Sequence, residues 1–196
     1  PPTPKPTMPV VRAPRTGIAT RCIAAVVGLV VLLGLIALIT WLAIDPKKLE
    51  YSLVSGYVTG FNVTGDRLVT ADVDYVLRAT NWNRHISVYY DRIEATTSFK
   101  GRLLSINEVR PFHQPKRNVT HLDLDLAPRD VGLDGKVLRE LKAGRDSGRV
   151  VLDVKIHAKI RLKVGAFKIH RHIWVVCGPA TTPFSPAKGF VKVDCD

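Results

Sequence analysis

Negative charge is missing from the start of this chain: no residue before Asp45 is acidic. Between Arg21 and Asp45 charge of either sign is missing, and residues 22–44 read CIAAVVGLVVLLGLIALITWLAI. A helix of that length spans roughly 35 Å at about 1.5 Å per residue, against a hydrocarbon core of about 30 Å. The roughly 150 residues that follow could hardly bury such a helix on every side, so lipid is the solvent its apolarity calls for. A cleaved signal peptide would have an apolar region of about 7–15 residues and small residues before the cleavage point. Here Trp41-Leu42-Ala43 supplies a small residue at only one of the two key positions. The expectation is a retained membrane span.

Chemistry-bearing motifs are also lacking. The chain has no Gly-x-x-x-x-Gly-Lys phosphate cradle, no Gly-x-Ser-x-Gly elbow and no His-Glu-x-x-His pair, and it shows no internal repeat. Nothing nominates a nucleophile with its base, so neither catalytic residues nor a cofactor are expected, and no nucleic-acid partner. Cysteine is scarce as well. Cys22 lies in the apolar run, and only Cys177 and Cys195 lie beyond it. An even pair in an oxidising compartment implies a bridge, which closes 17 intervening residues and contributes about 3 kcal/mol in the chain-entropy model.

Positive charge is plentiful. The net charge is +12, of which Lys5, Arg12, Arg15 and Arg21 supply four. The region from Asp45 onward supplies the other eight, from 25 basic and 17 acidic residues. Because Lys and Arg stay on the cytosolic side, the N-terminus is expected inside and residues 45–196 outside. Residues 1–16 contain six prolines and no apolar periodicity, so residues 1–21 read as a disordered basic tail. Trp41 falls where an outer interfacial aromatic would sit. Two acceptor triplets, Asn62-Val63-Thr64 and Asn118-Val119-Thr120, mark Asn62 and Asn118 as glycosylation candidates on the outer side.

Beyond residue 45 the pattern changes from continuous to alternating. Val69, Ala71, Val73, Tyr75, Leu77 and Ala79 share one face of a strand over residues 68–80. Shorter runs give Ile86, Val88 and Tyr90, then Ile93, Ala95, Thr97 and Phe99, then Leu122, Leu124 and Leu126. The strongest alternation is Arg149–Val164, followed by Gly165-Ala166 as a two-residue turn and a return strand over residues 167–177. That register pairs residues whose numbers sum to 331, with Arg171 as the one misfit opposite Ile160. Residues 134–144 alone read as a helix, stopped by Gly144. Repeated strands with short connections imply an antiparallel sandwich or barrel.

Three clusters invite a functional reading. His170 and His172 share a strand face, but their cross-strand neighbours would be Arg161 and Lys159, which disfavours a metal ion. Asp72 with Asp74, and Asp123 with Asp125, are same-face pairs lacking the glycine-hinged loop of a calcium site and read as solvated strand faces. On the polar face of the hairpin, Lys155, Lys159, Arg161 and Lys163 accompany His157, His170 and His172, with Asp153 as the only carboxylate. That face is either merely solvated or made for an anionic partner. Acidic wall polysaccharide or an acidic protein patch fits an outward face better than lipid headgroups, because the anionic leaflet is the cytosolic one.

The run Ala79-Thr80-Asn81-Trp82-Asn83-Arg84 followed by Ile86-Ser87-Val88-Tyr89-Tyr90-Asp91 resembles the plant NHL proteins. These are relatives of the harpin-induced and non-race-specific-resistance proteins, and they carry a late-embryogenesis-abundant group-2 domain. Pro111-Phe112-His113-Gln114, Lys163-Val164-Gly165 and Val175-Val176-Cys177 with Cys195 extend the match, while Trp82 stands where the family has proline. The resemblance implies a fibronectin-type-like β-sandwich outside the plasma membrane, acting in defence, stress response or attachment of membrane to wall. It lends no catalytic residues. Some relatives end in a lipid-anchor signal, whereas this chain ends Val193-Asp194-Cys195-Asp196. The combined expectation is a mainly β protein with a basic tail (1–21), one span (22–44) and one extracytosolic domain (45–196).

Overall fold

The computed structural model describes residues 17–44, 46–65 and 67–196. The expectations of a disordered tail over residues 1–16 and of an interfacial Trp41 side chain lie outside the described residues. The described chain forms two units, one on each side of the Asp45–Pro46 bond.

The first unit holds α1 (Ile18–Ile44). It begins four residues before the charge-free run, so residues 18–21 of the expected tail are helical. Its first turn is closed by the Gly17 carbonyl, which accepts from the Thr20 and Arg21 amides. The large apolar side chains from Ile23 to Ile39 are all half exposed or more. The stretch Thr20–Ile39 is long and apolar enough to cross a membrane, and an all-round apolar surface is the one that lipid solvates.

The second unit is a β-sandwich. Its strands are β1 (Glu50–Thr64), β2 (Leu68–Asn81), β3 (Ile86–Phe99), β4 (Arg102–Val109), β5 (Phe112–Gln114), β6 (Asn118–Asp125), β7 (Val131–Gly132), β8 (Arg149–Val164), β9 (Phe167–Pro183) and β10 (Val193–Cys195). One helix, α2 (Gly135–Ser147), lies between β7 and β8. The first sheet runs β10-β1-β2-β6 with β7 also on β2, and the second runs β4-β3-β8-β9 with β5 also on β3. Every pairing is antiparallel.

The inner faces follow from alternation. Val69, Ala71, Val73, Tyr75, Leu77 and Ala79 of β2 are all buried, as are Val150, Leu152, Val154, Ile156, Ala158 and Ile160 of β8. Together they form one apolar core between the sheets. The Tyr75 hydroxyl crosses that core to Thr182 Oγ1 at 2.6 Å, and the Tyr51 and Tyr90 hydroxyls meet at 2.8 Å.

Irregular backbone explains where the alternation misled. The runs from Ile86 and from Ile93 belong to one strand, β3, whose register shifts between Tyr90 and Arg92. The extra residue moves the buried positions from even to odd numbers. In β1 the register shifts twice, between Leu53 and Ser55 and between Thr59 and Asn62, so the sequence shows no steady period of two. Helix α2 passes through Gly144 and ends at Gly148, which takes φ +79° and donates its amide to the Arg145 and Gly144 carbonyls. Of the two glycines, Gly148 is the one in the left-handed conformation that a helix terminus favours.

Candidate functional site

The β8–β9 hairpin builds the face that the sequence singles out. Gly165 has φ +58°, the positive value that the first position of a tight hairpin turn requires. The two strands then pair from Val164 and Phe167 to Val154 and Cys177 before a register shift at Asp153. Core residues point inward from β8, so Lys155, Lys159 and Lys163 project outward and are exposed. Each stands four positions from the next, about 13 Å along the strand.

Arg161 does not join them as a free cation. Its Nε donates to Asp91 Oδ2 at 2.7 Å and its Nη2 to Asp91 Oδ1 at 2.6 Å. Asp91 raises the Arg161 pKa first through these hydrogen bonds and then through its charge. Sequence periodicity placed Asp153 as the only carboxylate on the hairpin's own face, but β3 runs alongside β8 and brings Asp91 and Glu94 to it. Glu94 Oε2 lies 3.6 Å from His157 Nδ1, and Arg92 lies between Glu94 and Glu108, 3.8 and 3.0 Å away. The basic column is therefore three lysines bordered by a paired charge cluster.

Aromatic groups fill the interval between Lys155 and Lys159. Trp174 pairs across the strands with His157, and the rings stack at 3.9 Å with planes 12° apart. His172 continues the stack, 5.6 Å from His157. Trp174 is nonetheless 72% exposed. It was missed at the sequence level, although the register sum of 331 places it outward, opposite His157. The same register sets His170 against Arg161 and His172 against Lys159. Among the described residues, no three His, Cys, Asp or Glu side chains gather where they could hold a metal ion.

The opposite sheet carries the reverse charge. Strands β2 and β6 are neighbours, with Asp74 opposite Asp125, so the two aspartate pairs form one cluster of four. The Asp74 carboxyl is pushed up from its ordinary value by partial burial first, then by the charges of Asp125 and Asp72. Asp72 is paired with Arg129 at 2.6 Å. A cleft of about 1020 Å³ opens between the first residues of the domain, the tip half of β9 and the C-terminal residues; Lys47, Ile86, Leu162, Ile173 and Asp194 are among those lining it.

A buried amide network ties this end of the sandwich together. Asn81 and Asn83, both buried, flank Trp82. Asn81 Nδ2 donates to the Ile86 and Pro115 carbonyls, and its Oδ1 accepts from the Asn83 backbone and side-chain amides. Gln114 Nε2 donates to the Ala79 and Asn118 carbonyls, and its Oε1 accepts from the Tyr90 hydroxyl at 3.3 Å. Trp82 Nε1 donates to Glu50 at 2.8 Å, fastening the position where a proline would have had no donor.

Residues 76–177 match the family described as late embryogenesis abundant protein, LEA_2. The chain belongs to this family. It is 30% identical to the uncharacterized Arabidopsis thaliana protein At1g08160, over 88% of this chain and 80% of that protein. It is 29% identical to NDR1/HIN1-like protein 10 of the same plant, over 85% of this chain and 75% of the relative. The solution structure of AT1g01470 from Arabidopsis thaliana aligns over 66% of this chain and 83% of its own, at 15% identity and a TM-score of 0.33.

Within the LEA_2 domain, the residues of the resemblance have structural work. Asn81, Asn83, Tyr90 and Gln114 make the amide network, Phe112 stacks on Tyr90 at 4.3 Å, and Asp91 holds Arg161. The two acceptor asparagines differ: Asn62 is exposed on β1, whereas Asn118 is half-buried and its Oδ1 accepts from the Thr120 hydroxyl. Cys177 and Cys195 are joined, which fastens β10 of one sheet to β9 of the other. The Val176 and Asp196 backbones add a reciprocal pair of hydrogen bonds beside that bridge.

Proposed function

We propose that this chain is a non-enzymatic interaction protein of the plant cell surface, anchored in the plasma membrane by α1 with Pro46–Asp196 outside. Its setting in defence or stress response is what the resemblance to the NHL proteins implies, and relatives of this chain carry NDR1/HIN1-like names. The observation that carries the reading is the column of Lys155, Lys159 and Lys163 on a strand whose other side is core. Three exposed cations in line, with Arg161 already neutralised by Asp91, suit a linear anionic partner such as acidic wall polysaccharide or an acidic protein segment.

A second reading, a structural tether between membrane and wall, is favoured by the grip of Asn83 on Lys47. Lys47 N–H donates to Asn83 Oδ1 at 2.7 Å and Asn83 Nδ2 donates to the Lys47 carbonyl at 2.8 Å, which fastens the start of the domain to the segment between β2 and β3. Both readings use the same face and differ in whether the partner is a receptor or a load-bearing polymer. The test is retention of the full chain, held in neutral phosphatidylcholine nanodiscs, on de-esterified pectin and on polyglutamate. Wild type is retained and elutes as salt rises, while the variant with Lys155, Lys159 and Lys163 all changed to Gln passes through. Retention of that variant at wild-type strength would leave only a solvated face.

A further inference from the structure

The exposed ring of Trp174 sits among the lysines of the basic column, and a merely polyanionic partner gives it nothing to do. Its cross-strand neighbour is His157, Lys159 lies opposite His172, and Lys155 lies opposite Val176. The Trp174 ring is backed by His157 at 3.9 Å and 72% exposed. Half-exposed Val176 lies two residues further along the same face of the strand. An indole stacked on one face by a partner offers its other face, apolar and electron-rich, at little entropic cost.

From this arrangement we propose that the outer face of the β8–β9 hairpin is a binding site for linear uronic-acid oligosaccharides, with Trp174 as the stacking platform and Lys155, Lys159 and Lys163 as carboxylate partners. A pyranose ring has one face of C–H bonds that is apolar and weakly positive, which complements the negative face of an indole. A uronic-acid polymer adds one carboxylate to every ring, so a chain lying along β8 meets a lysine at intervals of about 13 Å with sugar rings between. Lysine suits this role, because a compact ammonium on a flexible stem can follow either carboxylate orientation. The near carboxylates do not oppose such a ligand freely. Glu94 is shared by Arg92 and the His157 ring, and Asp91 is spent on Arg161. A polypeptide polyanion would satisfy the lysines and leave the indole bare.

This inference rests on the anionic-partner reading of the hairpin, and its test separates the two. The full chain in phosphatidylcholine nanodiscs is titrated with oligogalacturonate, with its methyl ester and with polyglutamate. Trp174→Ala should weaken oligogalacturonate binding about tenfold and leave polyglutamate binding unchanged, and Trp174→Phe should restore most of the loss. The Lys155, Lys159 and Lys163 to Gln variant should lose both acidic ligands, and the methyl ester should bind weakly to every form. Unchanged oligogalacturonate binding in Trp174→Ala, with loss in the lysine variant, overturns the sugar site and spares the anionic face. Binding of neither acidic ligand by wild type overturns both. Trp174 is largely outside the core, so its variants should keep the wild-type melting temperature, which verifies that loss of binding is local.

Discussion

Asn83 grips the backbone of Lys47 with both ends of its side-chain amide, at 2.7 and 2.8 Å, across 36 positions of sequence. The amide imitates a strand neighbour, accepting from the N–H and donating to the carbonyl of one residue. Lys47 is only the second residue of the second unit, three positions before β1. The contact therefore fixes how the chain enters the domain.

Removing this grip should be costly, because Asn83 is 2% exposed and its loss orphans polar groups inside. Asn83→Ala is expected to lower stability by about 2–3 kcal/mol, the scale for buried groups left unpaired. Asn83→Asp keeps the volume and the acceptor but has no amide hydrogens for Lys47 O and Asn81 Oδ1, so it should also destabilise. Thermal melting of the full chain in detergent measures both. If Asn83→Asp melts with wild type, volume rather than hydrogen bonding holds the site.

Gly56 should tolerate nothing larger. Its partner across the strands is Tyr75, whose ring lies over the glycine so closely that an added Cβ would overlap Cδ1 and Cε1. The ring has little freedom to give way, since its hydroxyl is bonded to Thr182 and its edge meets Phe190 with centroids 6.0 Å apart. Gly56→Ala is expected to cost about 1–3 kcal/mol, as overpacking of a core does. A denaturant midpoint equal to wild type would mean that Tyr75 shifts freely.

These two positions also show what the sequence made legible. Alternation identified the buried residues of β2 and β8, because those strands keep a period of two over their length, and the hairpin register followed from one glycine turn. Gly56 was not legible, because it only has meaning once β1 is set beside Tyr75 and the β1 period is broken by two bulges. The candidate face was half legible. A single hairpin displays its own Lys155, Lys159 and Lys163, but Asp91 comes from β3, so the neutralisation of Arg161 depends on which strand is the neighbour. The aspartate cluster was hidden for the same reason, since Asp74 and Asp125 are 51 positions apart and meet only when β6 docks on β2.

That cluster sets a pH dependence. Asp74 has its carboxyl raised by partial burial and by the charges of Asp125 and Asp72, so the folded chain holds the proton more tightly than the unfolded chain. The stabilising contribution is complete below the unfolded value of about 3.9 and is lost as pH rises through the folded value. At neutral pH the ionised group therefore opposes folding. Asp74→Asn should raise the melting temperature by a few degrees at pH 7 and confer no gain at pH 3. A gain of equal size at both values would trace the effect to something other than charge.

The bridge between Cys177 and Cys195 should stabilise by more than its packing. It closes a loop of 18 positions, worth about 3 kcal/mol in the chain-entropy model, and it ties three-residue β10, which pairs with β1, to β9. Cys195→Ser should lose that amount and leave one alkylatable thiol outside α1. Its first structural effect should be faster amide exchange at residues 193–196, where the backbone bonds to Val176 have lost their covalent neighbour. Two free thiols in the wild-type protein would show that no bridge forms.

The orientation across the membrane gives the last prediction. Lys and Arg flank α1 on its N-terminal side with no acidic residue, and such segments stay in the cytosol, so Pro46–Asp196, with Asn62 and Asn118, is expected outside. A glycan-removing enzyme should then lower the mass of the protein, and changing both asparagines to Gln should abolish the shift. Asn62 should carry the larger share, because it is exposed on β1 while Asn118 is half-buried and engaged by Thr120. An independent reading comes from the exposed amines of Lys155 and Lys159. A membrane-impermeant amine reagent should label both in sealed right-side-out plasma-membrane vesicles. Labelling only after the vesicles are opened would reverse the topology, and would remove the wall as a partner along with it.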